Sequence, residues 1–167
     1  TRTIETVKVG DKLRGHDGRT VEVTGYTIGP DNDQLFSVTT ANGYTVRMTR
    51  QHPVPLADGT VKVASDIELG DELLTADGTS EVTEVVAEAY DGKVWNLMVG
   101  KAQRSRTKVD TSEHAFFANG VLVGDAVAQA HYNIVKYNSP EEILKRLPAR
   151  WKHDFDSAQR HNQNKKE

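Results

Sequence analysis

Six Asp-Gly or Asn-Gly pairs are spread along the chain, and they constrain its fold more than any other feature. Such pairs tolerate the positive φ angles that tight hairpin turns require. Between them, valine and threonine alternate with polar residues, as in RTVEVTGYTI from Arg19, which is the period-two pattern of half-buried strands. Up to about Val123 the chain is therefore predicted to be all-β. The pairs are Asp17-Gly18, Asn42-Gly43, Asp58-Gly59, Asp77-Gly78, Asp91-Gly92 and Asn119-Gly120.

One stretch of the sequence occurs twice in related form. VKVGDKLRGHDGRTVEVT begins at Val7, and IELGDELLTADGTSEVT begins at Ile67. In both, an apolar residue precedes Gly-Asp, and Asp-Gly and then Glu-Val-Thr follow it. Chance similarity among Gly-Asp turns is the alternative, but the shared order of features favours a true repeat. We predict turns at Gly10-Asp11 and Gly70-Asp71 that lead into equivalent strands of two β-subdomains related by a pseudo-two-fold axis.

The sequence changes character after the predicted β-domain, which covers residues 1–125. We interpret residues 126–138, which include HYNIVKYN, as a further strand. The letters SPEE, from position 139, then place a serine at the N-cap, a proline at the first helical position and a glutamate that completes a capping box. A helical extension over residues 139–160 is predicted, divided or kinked at Pro148, and residues 161–167 are expected to form a frayed polar tail.

One face of the predicted helical extension is apolar, with large side chains at helical spacing. Such a stripe usually packs on its own domain. Docking on the β-domain is thus the favoured interpretation, and binding of a partner protein or of another copy of this chain is the alternative. The residues of the stripe are Leu144, Leu147, Trp151 and Phe155.

Charge gives little indication of a polyanionic or membrane partner. The net charge is −3 with both signs interspersed, so no strong field favours nucleic acid or an anionic membrane. No apolar run approaches the roughly 18 residues of a membrane span. We expect a soluble protein, with the cytoplasm and a virus particle both open as locations. A basic segment is interpreted as a solvated loop, with an acidic partner or nucleic acid as the less favoured alternative; its cations are Lys101, Arg104, Arg106 and Lys108.

Several classes of chemistry lack their residues here. The chain contains no cysteine, which excludes disulfides, thiolate metal sites and a cysteine nucleophile among these residues. The six histidines form no His-x-His or His-x-x-x-His pair, so no metal site is predicted. Phosphate-binding glycine loops and a nucleophile elbow are also absent from the sequence. We expect no cofactor and no small-molecule substrate.

Other stretches resemble a known family when they are taken in order. They include TIETVKVGDKL, FSVTTANGYTVRMTRQHPV, GKVWNLMV and EHAFFANGVLV. The most specific element is Thr49-Arg50-Gln51-His52, which matches a Thr-x-x-His motif, and HAFFANGVLV matches a C-terminal strand pair. Together these residues resemble the Hint domain, the self-processing fold of inteins and Hedgehog C-terminal regions. The resemblance covers about Thr3 to Asp125 and implies a Hint-type β-fold.

The resemblance also implies a reaction. A cysteine or serine at the first residue of a Hint domain attacks the preceding carbonyl, and the amide bond resists because resonance stabilises it. By resemblance, His52 would protonate the scissile nitrogen while Thr49 helps to hold the twisted peptide. His114 aligns with a family histidine that assists later proton transfers; a polar residue at a strand edge is an equally weighted interpretation.

The sequence departs from the family pattern at both reactive ends. Splicing domains end in His-Asn followed by a nucleophile, where this chain has Gly124-Asp125-Ala126. A carboxylate offers no amide nitrogen for cyclisation, and alanine cannot accept an acyl group. Thr1 lies too close to the segment that begins at Ile4 to take the place of the nucleophile. The nucleophile strand would then have been cut away, be supplied by another chain, or have been lost.

These departures favour a Hint-fold module that cannot splice and that acts as a structural or interaction component of a larger assembly. By analogy with the contexts in which Hint domains occur, that assembly would be a virion or a toxin. The alternative is an autoprocessing domain that cleaves the peptide bond on its N-terminal side through an N–O or N–S acyl shift. The retained Thr49 and His52 favour this alternative, because a scaffold needs neither.

Overall fold

A computed structural model describes residues 2–101, 112–137, 139–149 and 152. The described residues form strands up to Gly124 and two α-helices after it, so the predicted all-β character of the first part of the chain is confirmed. The strands are β1 (Lys12–Arg14), β2 (Thr20–Asp31), β3 (Gln34–Thr40), β4 (Thr45–Thr49), β5 (Pro53–Pro55), β6 (Val61–Val63), β7 (Glu72–Thr75), β8 (Gly78–Ala89), β9 (Gly92–Val99), β10 (Ala115–Ala118) and β11 (Val121–Gly124); the helices are α1 (Ala126–Tyr137) and α2 (Pro140–Arg146).

The described strands form three antiparallel groups. A three-stranded sheet has the order β1-β2-β9, a six-stranded sheet has the order β10-β11-β7-β8-β3-β4, and β5 pairs with β6. Alternate strand residues point inward and form one hydrophobic core, as the period-two pattern predicts. Its fully buried members include Val23, Val38, Val54, Val63 and Leu73.

Five of the six predicted turn pairs close hairpins. Asp17-Gly18 and Asn119-Gly120 both have positive φ at both residues, at 53° and 71° and at 46° and 81°. The prediction was wrong for Asp91-Gly92, which connects β8 to β9. Strand β8 pairs with β3 and β7, whereas β9 pairs with β2. This pair therefore carries the chain from one sheet to another.

The two related stretches fold in the same way. Each Gly-Asp turn follows a short 3-10 helix, Ile4–Thr6 in one copy and Ala64–Asp66 in the other. In each copy the aspartate accepts a backbone N–H three residues before it, and the turn is tied to the long strand that follows. The matching backbone bonds are Gly10 N to Val23 O (2.8 Å), Val23 N to Asp11 O (2.8 Å), Gly70 N to Val82 O (3.0 Å) and Val82 N to Asp71 O (2.8 Å).

The repeat extends into the sheets. Strand β2 pairs with β9 across a register shift between Val23 and Gly25, and β8 pairs with β3 across a shift between Thr39 and Thr40. Because the shifts occur at matching positions, β9 is the counterpart of β3. Strand β3 also carries β4 on its other edge, whereas β9 ends its sheet in the part of the chain that the structure describes.

Residues 126–138, which the sequence analysis assigns to a further strand, belong largely to helix α1, and that prediction was wrong. Asp125 caps the helix: its Oδ1 accepts the Ala128 N–H at 2.8 Å, and its carbonyl accepts the Gln129 N–H at 2.9 Å. An aspartate N-cap satisfies amides that the first turn leaves without partners. The alanines after it favour a helix, and this start signal outweighs the strand-like letters HYNIVKYN.

Helix α2 begins as predicted. Ser139 Oγ accepts the Glu142 N–H at 3.3 Å, and Pro140 is the first helical residue. The helix ends at Arg146, close to the predicted interruption at Pro148.

Contacts divide the chain into one compact unit that ends at His131 and another that begins at Tyr132. None of the described helices has the length and apolar character needed to cross a membrane.

In the predicted apolar stripe, Leu144 and Leu147 are half-buried, while Trp151, Phe155 and residues 161–167 lie outside the described residues. Partner binding by the stripe stays a prediction.

The repeated turns can be tested through their glycines. Gly10 and Gly70 have φ of 91° and 89°, which strains any residue with a Cβ, so Gly10→Ala and Gly70→Ala should each lower the free energy of unfolding by roughly 1–2 kcal/mol. Gly29→Ala is the control, because a Cβ there meets nothing within 4 Å and φ is not positive. Urea unfolding measures all three, and an equal loss in the control would contradict the assignment.

Candidate functional site

A cleft of about 590 Å³ opens in the first unit between residues of β2, β4 and β9. Thr49 and His52 both line it, so the Thr-x-x-His motif faces the surface beside the edge of β9 that no described strand pairs with. Most of the other lining is apolar, which favours an extended peptide with apolar side chains over a charged ligand. The apolar lining includes Leu35, Val46, Leu97, Phe116 and Val123.

The motif is held by its own backbone. Thr49 ends β4, and the His52 N–H donates to the Thr49 carbonyl at 3.0 Å, which turns the chain within the four residues. The His52 carbonyl accepts the Ala64 N–H at 2.9 Å. The motif is thereby fixed to the start of the 3-10 helix of the second repeat, which limits the movement of the imidazole.

His52 is an uncharged imidazole at neutral pH. Burial lowers the pKa of His52 to about 4, although the Gly124 backbone and the charge of Asp125 act in the opposite direction. Its Nε2 atom is buried and has no hydrogen-bond partner among the described residues. A neutral imidazole can take a proton from a nucleophile and return it to a leaving nitrogen.

Asp125 and His114 form a buried pair, with exposed fractions of 0% and 1%. His114 Nδ1 lies 2.9 Å from Asp125 Oδ2. The hydrogen bond with Asp125 raises the pKa of His114, against the opposing effect of burial. The same Oδ2 accepts the Val99 N–H at 2.8 Å. The other oxygen, Oδ1, accepts the Ala128 N–H, so both carboxylate oxygens accept hydrogen bonds. Asp125 is thereby hydrogen-bonded to β9, to His114 and to the first turn of α1.

The structure brings all four predicted catalytic residues into one region. His52 interacts electrostatically with Asp125, and Asp125 pairs with His114. Thr49 shares the cleft with His52. The roles of these four residues stay predictions. In the basic segment Lys101 is exposed, and Arg104, Arg106 and Lys108 lie outside the described residues.

Two residues of the cleft were missed by the sequence analysis. Asn96 Nδ2 donates to Gln129 Oε1 at 2.6 Å, and both residues line the cleft. Asn96 lies in GKVWNLMV, a stretch already matched to the Hint family, and it is the one uncharged polar residue of that stretch, which is a signal that could have marked it. No sequence signal marked Gln129, because its segment was assigned to a strand.

Comparison with solved structures identifies the fold. The crystal structure of the gp41-1 intein aligns with a TM-score of 0.60 and 16% identity, over 74% of this chain and 87% of that one. The bacterial intein-like domain from Clostridium thermocellum aligns with 0.58 and 24%, over 73% and 86%. The MchDnaB-1 intein aligns with 0.58 and 19%, over 74% and 89%. The chain therefore has the intein-like Hint fold that its motifs predict. No protein-family model matches the sequence, and neither does any curated protein.

The Asp125 pair can be tested by removing the carboxylate. Asp125→Ala deletes three hydrogen bonds and leaves His114 buried without its acid partner, so it should lower the free energy of unfolding by roughly 3–5 kcal/mol. Asp58→Ala is the control, since Asp58 caps an exposed turn through Thr60, and a much smaller loss is expected. Urea unfolding measures both variants. Equal decreases in the free energy of unfolding would contradict a stabilising role for the buried Asp125 hydrogen bonds.

The low pKa of His52 has a consequence for stability. An unfolded histidine binds its proton near pH 6.5, whereas folded His52 does so only near pH 4. The contribution of neutral His52 is therefore present above the unfolded pKa and is lost as the pH falls toward 4. When the pH is lowered from about 7.5 to about 4.5, the free energy of unfolding of the wild-type chain should fall by on the order of 2–3 kcal/mol more than that of His52→Gln.

Unfolding free energies of both proteins across this range provide the measurement. His16→Gln is the matched control, because His16 is half-buried and does not line the cleft. Its curve gives the effect of replacing a histidine that lies outside the cleft. Parallel curves for wild type and His52→Gln would show that His52 is not held neutral by the fold.

Proposed function

We propose that this Hint-fold chain is part of a self-processing domain that reacts on its N-terminal side and does not splice. In this proposal an extended segment docks as an additional strand along β9. The observation that carries the proposal is the unpaired edge of β9, within the described residues, beside the cleft that Thr49 and His52 line. The departures of the sequence at both reactive ends favour a scaffold, whereas an open strand edge at the motif favours the autoprocessing alternative.

The internal repeat supports a strand at this place. Strand β3 carries β4, and β9 is the counterpart of β3, so a segment like β4 would complete the first repeat. The two strands present similar side chains at matching positions, which would suit similar partner strands. The matched positions are Leu35 and Val94, Phe36 and Trp95, Ser37 and Asn96, and Val38 and Leu97.

The resemblance to Hint domains indicates the origin of the occupant. In that family the strand that begins with the nucleophile precedes the segment that here begins at Ile4. We therefore assign the docked strand to residues encoded upstream of Thr1. Its scissile peptide would lie beside Thr49 and His52.

The residues of the cleft suit an acyl shift. A hydroxyl or thiol of the docked segment attacks the preceding carbonyl, the C–N bond breaks and an ester or thioester forms. The proton of the nucleophile must reach the departing nitrogen. Neutral His52 can accept it and then return it, so no net proton is consumed. The Thr49 hydroxyl would hydrogen-bond the distorted peptide.

Asp125 supports the absence of splicing. Its carboxylate carries no amide nitrogen for cyclisation, and both of its oxygens already accept hydrogen bonds. The carbonyl of the Asp125–Ala126 bond accepts the Gln129 N–H inside the first turn of α1. The bond is thus held in a helix, and the β-domain would remain joined to α1.

A second candidate is the structural or interaction module that the sequence analysis favoured. The observation in its favour is that Asp125 caps helix α1. The position at which splicing domains carry a reactive asparagine therefore has a structural role in this chain. In that case the cleft would bind its strand without reacting. A virion or toxin setting remains an analogy.

The deciding experiment is intact mass spectrometry of the protein expressed from its full natural reading frame. Water would hydrolyse the ester or thioester and release the part before the nucleophile, so an active processor should yield a chain that begins at its nucleophile, before Thr1. His52→Ala should remain at full length. His16→Ala is the matched control and should be shortened like the wild type. Full-length mass for the wild type would overturn the proposed reaction and leave the structural module.

A further inference from the structure

Two polar atoms that line the cleft lack partners among the described residues. Asn96 Oδ1 and His52 Nε2 are both buried without a hydrogen bond, and both residues line the same largely apolar cleft. A buried polar atom left without a partner costs about 1–3 kcal/mol. Two such atoms in one cleft indicate that a ligand with hydrogen-bonding groups completes them.

The orientation of the Asn96 amide depends on Gln129. Asn96 Nδ2 donates to Gln129 Oε1 at 2.6 Å, which occupies the amide nitrogen and leaves Oδ1 as an acceptor. Gln129 is itself fixed, because its backbone N–H donates to the Asp125 carbonyl in the first turn of α1. Gln129, which follows the β-domain in sequence, is therefore hydrogen-bonded to β9, the strand whose unpaired edge lies beside the cleft.

Asn96 also occupies a position that a docked strand would meet. Its counterpart in the other repeat, Ser37, pairs in register with Arg47 of β4. A strand docked along β9 in the same way would place a residue opposite Asn96. An N–H or O–H group of that residue is the donor that Asn96 Oδ1 lacks.

We infer that Gln129 is a positioning residue of the strand-accepting cleft, acting through Asn96 to present an acceptor to the docked strand. This inference rests on the proposed function, since it needs a strand along β9. It adds that the site includes the start of α1. The segment downstream of the β-domain thus takes part in recognising the segment upstream of it.

The test uses the full chain with Trp151→Phe, so that Trp95 in the cleft wall is the only tryptophan. The probe is a synthetic peptide with the sequence of residues 43–50, which contains β4 and should suit β9 because β9 and β3 present similar side chains at matched positions. Docking of this peptide should change the Trp95 fluorescence and give a dissociation constant.

Gln129→Met keeps the length of the side chain but removes the acceptor, and it should weaken peptide binding roughly 3–10-fold, as expected for one hydrogen bond. Gln129→Glu keeps an oxygen for Asn96 Nδ2 and should restore binding to within about twofold of the wild type. Gln34→Met is the matched control: it removes the hydrogen bond from Arg50 to a surface glutamine outside the cleft and should leave binding unchanged.

Each result has one meaning. Equal affinity for Gln129→Met and wild type overturns the role of Gln129 while leaving strand docking intact. A loss in Gln129→Met that Gln129→Glu does not restore shows that packing, and not the acceptor, is responsible, which also overturns it. No fluorescence response in the wild type overturns strand docking and this inference together, whereas the mass measurement judges the cleavage reaction independently.

Discussion

The carboxylate of Asp125 holds together the parts of the molecule that make its site. It accepts hydrogen bonds from Val99 at the end of β9, from His114 just before β10 and from Ala128 in the first turn of α1. With an exposed fraction of 0%, this charge has no solvent to stabilise it, so the bonds must replace water. Gln129 lies on the helix that this cap begins, and His52 responds to the same charge. The arrangement of the cleft therefore depends on one side chain.

Much of the β-domain could be predicted because its signals are local. Alternation along β2, β3 and β8 fixed which side chains point inward, and Asn-Gly and Asp-Gly pairs specified turns through the φ angles that only a few residue types tolerate. Asp91-Gly92 shows the limit of that reasoning. A turn signal states that the chain bends, but the strands that pair on either side are decided by contacts that are distant in sequence.

The site was less predictable than the fold, for a related reason. Thr49 and His52 were found because they are near in sequence and match a motif. The partnership of His114 with Asp125 links two recognised residues, yet its structural role emerged only when Asp125 proved to be a helix cap. Asn96 and Gln129 are separated by 33 positions, and one of them lies on a helix that was assigned to a strand. A contact of this kind has no periodicity to reveal it.

The repeat gives the cleft its particular construction. One wall, β4, lies in the sheet that contains β7 and β8 of the second copy, and the facing strand, β9, pairs with β2 of the first copy. Each copy reaches its place through its own Gly-Asp turn, at Gly10 and at Gly70. A strand docked along β9 would be paired by one repeat while the motif that acts on it is supplied by the other. The relative placement of the repeats, and hence the geometry of the turns that fix it, would then set the distance between His52 and the peptide it acts on. In a duplicated fold of this kind, residues far from the cleft can govern its chemistry without contacting the substrate.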